Sequence, residues 1–180
     1  DAVQSFMKIP FPAKTLGADL ITISSHKIHG PKGCGALYIS PKLKSFPPLL
    51  VGGGQEWETY DCRVAEGPFI IKHNDLYYMT YSSNHTRSPY YAIGCAIAAS
   101  PWGPFERYEG NPILSKTETV VGVGHHSFAK IGDNKWVCAY HSHFSSDQFK
   151  PRRTRIDLAE FVKDPNGGAD ILVIHGPTEE

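Results

Sequence analysis

The chain has 180 residues, enough for one ordinary domain with its own core and too few for two full-sized enzyme domains. Its 18 basic and 18 acidic residues cancel, so no overall field draws it to nucleic acid or to an anionic membrane, and a neutral or sugar-like ligand suits it better. The 41% hydrophobic and 20% charged composition is globular, apolar runs such as 91–99 fall short of the roughly 18 residues of a membrane span, and no basic-then-apolar leader opens the sequence, which predicts a soluble, cytoplasmic protein.

In chain order, residues 20–25 and 35–40 predict two short strands, separated by the Gly-rich turn at 29–33. Lys27 stands where the first strand meets that turn, beside Ser24 and His26. A lone lysine there is usually just solvated, but one used for a Schiff base needs donors of this kind nearby to hold a phosphate. A Pro/Gly-rich stretch, Phe46 to Gly54, then marks a change of composition and a candidate boundary.

From Trp57 onward the sequence predicts a succession of antiparallel hairpins. Residues 68–72 and 76–82 flank a His73-Asn74-Asp75 turn, and 91–99 continues the meander before the turn at 101–104. Residues 128–131 and 135–143 flank Gly132-Asp-Asn134, and 154–162 and 169–175 flank Asp164-Pro-Asn-Gly-Gly168. The first and second hairpins resemble each other, with Lys72 and Lys130 lying 58 positions apart and Tyr81-Ser82 answered by Tyr140-His-Ser142. A unit of that length made of four short strands is the size of a propeller blade, so the chain is expected to hold about two blades where closed propellers have about 4–8. The four cysteines, Cys34, Cys62, Cys95 and Cys138, form no Cys-x-x-Cys pair and are expected to be free thiols.

Two resemblances sharpen these expectations. Asp1-Ala-Val-Gln4, Ser24-Ser-His-Lys27, Gly30-Pro-Lys-Gly33, Gly35-Ala-Leu-Tyr38 and Gly52-Gly-Gly-Gln-Glu56, in that order, resemble the middle of a cysteine desulfurase of the class V aminotransferase family. The resemblance implies that residues 1–56 are a small α/β fragment of a transferase fold using pyridoxal phosphate. It implies that Lys27 carries the Schiff base, Asp1 bonds the pyridine nitrogen, Gln4 the ring hydroxyl, and Ser24 and His26 the phosphate. Cys34 does not match that family's sulfur-accepting cysteine.

Residues 57–180 resemble the C-terminal part of glycoside hydrolase family 43, which contains β-xylosidases and α-arabinofuranosidases. The matching stretches are Val64-Ala-Glu-Gly-Pro-Phe-Ile-Ile-Lys72, Leu76 to Asn84, Ser100-Pro-Trp-Gly-Pro-Phe105, Gly110-Asn-Pro-Ile113, Gly122-Val-Gly-His-His-Ser127 and Arg155-Ile-Asp157. This resemblance implies a mainly β fold, part of a five-bladed propeller. On sequence chemistry alone Glu66 reads as an ordinary solvated carboxylate before a turn; by the resemblance it is the general acid of an inverting hydrolysis of xylosyl or arabinofuranosyl linkages. His125 would coordinate a calcium ion in the cavity, directly or through water, His126 would be a hydrogen-bonding cavity wall, and one of Arg152, Arg153 and Arg155 would contact substrate. Alternation puts Arg153, Arg155 and Asp157 on one strand face and Arg152 on the other.

The expected ligand is an oligosaccharide of the xylan or arabinan type. The family's base aspartate lies upstream of Glu66, where this chain carries the desulfurase-like segment, so the chain is expected to be inactive alone. Two other outcomes stay open: a desulfurase-like protein binding pyridoxal phosphate, or a non-catalytic fusion product that self-associates through unpaired blade edges.

Overall fold

The computed structural model describes residues 2–10, 13–30, 35–43 and 48–179, so Asp1 and Cys34 lie outside the described residues. These residues form two compact units, Asp1–Pro48 and Leu49–Glu180.

The first unit contains a single helical turn, α1 (Ala13–Leu16), then β1 (Leu20–Ser24), a 3-10 turn over Ser25–Lys27, and β2 (Gly35–Ile39). β1 and β2 pair antiparallel from Leu20↔Ile39 to Ser24↔Gly35. The Ala2 N–H donates to the Thr22 carbonyl at 3.0 Å, laying the segment before Gln4 along β1. Every residue of β2 is exposed, Leu37, Tyr38 and Ile39 included. A two-stranded hairpin has no second layer of its own to cover its apolar side chains.

The second unit is almost wholly β. It opens with a 3-10 turn over Glu56–Thr59 and continues through β3 (Glu66–His73), β4 (Leu76–Ser83), β5 (Ala92–Ala98), the short β6 (Glu106–Arg107), β7 (Gly124–Gly132), β8 (Lys135–Ser142), β9 (Arg153–Val162) and β10 (Ile171–Ile174). They make two four-stranded antiparallel meanders, β3-β4-β5-β6 and β7-β8-β9-β10. The two tight hairpins fall where the turn chemistry predicts. His73 pairs with Leu76 and Gly132 with Lys135, leaving two-residue loops in which Asn74 (φ 51°) and Asn134 (φ 52°) take the left-handed conformation that asparagine tolerates. Lys72 and Lys130 occupy equivalent places near the ends of β3 and β7, opposite Tyr77 and Trp136. β6, only two residues long, carries no sequence pattern and was not expected.

One apolar core lies between the sheets. Ile71, Tyr78, Ile93 and Cys95 of the first meet Phe128, Cys138, Tyr140, Phe161 and Leu172 of the second, and each large side chain buried this way contributes about 1.5–3 kcal/mol. A clasp closes one edge of this core: the His73 ring stacks on Phe161 at 3.8 Å and its Nε2 meets Asp170 at 2.8 Å. Cys95 and Cys138 are buried free thiols and Cys62 is half-buried.

The second unit begins at Leu49, whereas the desulfurase-like motif ends at Glu56. The physical reason is a buried carboxylate. Glu58 is fully buried; its Oε2 accepts from the Gly53 and Gly54 N–H groups at 2.7 and 2.9 Å, and its Oε1 accepts from Tyr81 Oη at 2.6 Å and Arg107 Nε at 2.7 Å. Gln55 adds a second tie, donating to the Tyr108 carbonyl at 3.0 Å and accepting from Trp57 Nε1 at 2.9 Å. Gly53, Gly54 and Gln55 therefore belong to the motif by sequence and to the β unit by hydrogen bonding.

Candidate active site

Glu66 and His125 come together because the first strands of both meanders are bulged at the same end. The β3–β4 register slips between Glu66 and Phe69, and the β7–β8 register slips between Gly124 and Ser127. Bulges of this kind re-aim side chains. Gly67 (φ 57°) and His125 (φ 53°) take left-handed backbone inside them, and a Cβ at Gly67 would stand 3.4 Å from His125 Nδ1. The His125 N–H is held by Ser82 Oγ at 2.8 Å, which ties the second bulge to β4.

Tyr91 is the partner that sequence reading missed. Wholly buried at the start of β5, it donates its hydroxyl to Glu66 Oε1 at 2.7 Å, and the same hydroxyl lies 3.4 Å from His125 Nδ1. Burial, and then the hydrogen bond and charge of Glu66, push its phenol far above the ordinary range, so it is a donor at any working pH. The Tyr91 ring stacks on His141 at 5.5 Å, and Arg152 Nη1 lies 3.5 Å from His141 Nδ1. The other ring nitrogen, Nε2, is buried with no partner among the described residues. The one sequence signal for His141 is its place in the second copy of the repeat, between Tyr140 and Ser142.

The arginines separate. Arg155 is engaged, with Nε on Ser142 Oγ at 2.8 Å and Nη1 on the Thr178 carbonyl at 2.6 Å, and Arg153 lies over the Phe144 ring at 4.5 Å. Arg152, just before β9 and exposed, is the one whose guanidinium meets the Glu66–Tyr91–His141 group.

His126 is buried, with Nε2 2.7 Å from Thr80 Oγ1 and Nδ1 3.5 Å from Ser82 Oγ, so both ring nitrogens face β4. Burial, reinforced by the nearby His125, pushes it down to about 3; burial, then Arg152, His125 and His143, push His141 down to about 4. Both imidazoles are expected to stay neutral at pH 5 in two-dimensional 15N imidazole spectra, and a midpoint above 5.5 for either would contradict this packing. The sign follows from linkage. Unfolded histidines near 6.5 take up protons that the folded chain refuses, so these two groups withdraw stability as pH falls from about 6.5 toward 3–4.

Among the described residues no three His, Cys, Asp or Glu side chains come together as a metal site. The groups beside His125 are a phenol, an imidazole and the single carboxylate of Glu66, and a calcium ion wants about 6–8 oxygen ligands, so these side chains by themselves do not fit it.

In the first unit Ser24 Oγ and His26 Nδ1 lie 2.8 Å apart at the end of β1, and Lys27 follows, half-buried, in the 3-10 turn. That donor chemistry suits a phosphate. His26 and Gln4 are exposed, however, and β2 covers nothing, so the described residues do not enclose a planar ring.

Comparison with known proteins gives two unrelated matches. The model of glycosyl hydrolases family 43 matches residues 40–166, and that of class-V aminotransferases matches residues 1–73. A cysteine desulfurase from Nostoc sp. is 57% identical over 56 residues, which is 31% of this chain and 14% of that protein. The structure of an endo-1,4-β-xylanase from Bacteroides thetaiotaomicron aligns with a TM-score of 0.62 at 32% identity, covering 71% of this chain and 43% of the xylanase. A thermostable family-43 glycoside hydrolase aligns with a TM-score of 0.59 at 34% identity, covering 87% of this chain and 46% of the enzyme. The chain is chimeric in composition and spans less than half the length of each of these proteins. No helix among the described residues is long and apolar enough to cross a membrane.

Proposed function

We propose, from the premise that this chain belongs to glycosyl hydrolases family 43, that residues 57–180 are two blades of a five-bladed propeller and carry the proton-donor side of a glycoside-cleaving site. The observation that carries the reading is the Tyr91–Glu66 hydrogen bond at the bulged end of β3. In the protonated acid, Oε1 accepts from Tyr91, so the proton resides on Oε2. That oxygen would deliver it to the departing glycosidic oxygen. Arg152 supports the same reading, because its guanidinium sits at this group and can donate to sugar hydroxyls, whereas the Arg155 head already holds Ser142 and Thr178. His125 stands beside the hydroxyl that holds Glu66; His126 serves by fixing β7 to β4.

The proposed substrate is a xylosyl- or arabinofuranosyl-linked oligosaccharide. Inverting hydrolysis needs a second carboxylate about 6.5–9.5 Å from the acid to activate water. Glu66 is held by a phenol, with imidazoles and a guanidinium beyond it, and none of these groups replaces that second carboxylate. The chain alone is therefore expected to release no 4-nitrophenol from aryl β-xyloside or α-arabinofuranoside above the buffer rate. Release that disappears in Glu66→Gln would show that the site is complete and would overturn the inactive part of this reading.

For residues 1–56 we propose only a remnant role. Ser24 and His26 would hold the phosphate of pyridoxal phosphate, and Lys27 would stand beside it, in a segment whose described residues do not enclose the cofactor.

A further inference from the structure

Two tyrosines outside the Glu66 group stand exposed although their backbones are firmly anchored. Tyr60 follows the 3-10 turn before β3 and is 57% exposed; Tyr90, just before β5, is 47% exposed. Their rings meet edge to face at 5.4 Å. Both are set by one fully buried side chain, Asn84, whose Nδ2 donates to the Trp57 carbonyl at 2.7 Å and to the Tyr90 carbonyl at 3.1 Å, while its Oδ1 accepts from the Asp61 N–H at 3.1 Å. The amide thus fixes the backbone on either side of Tyr60 and at Tyr90 itself. An aromatic ridge held this way loses little further freedom on binding a ligand.

The ridge divides two clefts of about 550 and 510 Å³. The first offers Ser115, Lys116, Thr117 and Glu118, with the Lys116 ammonium 5.5 Å from the Tyr90 ring centre; the second offers Asp61, His85 and Arg87. Each side carries charge of both signs, so neither selects a cation or an anion. Hydroxyl-bonding groups flanking an apolar ring face match a neutral sugar, which presents one C–H face and a rim of hydroxyls. The ridge is joined to the acid through the chain: Tyr90 precedes Tyr91, whose hydroxyl holds Glu66.

We infer that the Tyr60–Tyr90 ridge is a saccharide-binding subsite for a second sugar ring, so that the ligand is a neutral oligosaccharide rather than a monoglycoside. The inference rests on the reading of the chain as acting on glycosides. The test is titration of the 15N-labelled chain with xylohexaose and, separately, with xylose. Xylohexaose is expected to shift the amides of Tyr60, Asp61, Tyr90 and Lys116 as well as those of Gly124 and His125. Tyr60→Ala/Tyr90→Ala weakens xylohexaose binding by about 10-fold, at the scale of two lost ring contacts, and leaves the xylose shifts at His125 in place. Tyr60→Phe/Tyr90→Phe, which keeps both rings, stays within about 3-fold of the parent. Shifts at Gly124 and His125 with a silent ridge overturn the inference and leave the Glu66 reading standing. Shifts at the ridge alone support the inference and remove the binding basis of the Glu66 reading, and silence at both overturns the two together.

Discussion

Replacing Glu58 by alanine is expected to cost about 3–5 kcal/mol, the range for breaking a buried ion pair on one side. The substitution strands the Arg107 guanidinium, the Tyr81 hydroxyl and the N–H groups of Gly53 and Gly54, all of which point at the vacated carboxylate. A loss of that size is a large part of the roughly 5–15 kcal/mol that holds a domain folded, and it lowers Tm by about 10–20 °C for a unit of this length. Arg107→Ala leaves the opposite charge buried and is expected to cost a similar amount. The double variant then loses less than the sum of the two, because each single change already removes the shared interaction.

The same carboxylate gives a pH dependence. Burial alone would raise its pKa above the ordinary 4.5, but hydrogen bonds from Arg107, Tyr81 and Gly54 together outweigh burial and hold it below that value. A depressed carboxylate contributes stability that is present above the unfolded value and lost as pH falls through the folded one. Acid unfolding followed by circular dichroism should therefore steepen below about pH 4.5 in the parent and lose that component in Glu58→Gln. A Glu58→Ala protein melting within about 2 °C of the parent would show that the network holds nothing.

Gly124→Ala is the second large effect, and it joins the core to the site. A Cβ there would stand 2.4 Å from Tyr91 Cε1 and 3.0 Å from Ser82 Oγ. Neither neighbour can retreat easily, since both are fully buried and Tyr91 is stacked on His141. Overpacking of this kind costs about 1–3 kcal/mol. The yielding group is the Tyr91 ring, and its displacement draws the hydroxyl off Glu66 Oε1. Weaker nuclear Overhauser contacts between the Tyr91 and His141 rings, together with a lowered Tm, are the expected result. An unchanged ring contact beside a lowered Tm would place the strain elsewhere.

The buried asparagine also accounts for a motif that carries no weight as sequence. Asn84-His85-Thr86 has the form of a glycosylation site, yet the Asn84 amide is inside the protein and already shared between two carbonyls. Local sequence states the triplet, and only burial decides its use.

Much of the fold was legible in the chain itself. Strand alternation and the Asn74 and Asn134 turns are local effects, so most hairpin strands could be placed within about two residues, whereas β7 begins at Gly124, four residues before the expected start, across its bulge. The motif around Glu66 singled that carboxylate out as the proposed acid because the resemblance is carried by contiguous residues. The partners of that acid were not legible. Tyr91 and His141 lie 25 and 75 positions beyond Glu66; nothing near Tyr91 distinguishes it from a core aromatic, and His141 is marked only by its place in the repeat. Tyr91 reaches Glu66, and His141 reaches Tyr91, only across the folded sheets, where the bulges of β3 and β7 bring Glu66 and His125 to one point. The proposal of Arg152 rather than Arg155 rests on distant contacts in the same way. The sequence by itself determined the two families and the strands, since those rest on local pattern. Which side chains form the site, and that residues 49–56 join the β unit, was decided by long-range hydrogen bonds and packing, which depend on the whole sheet arrangement rather than on any segment.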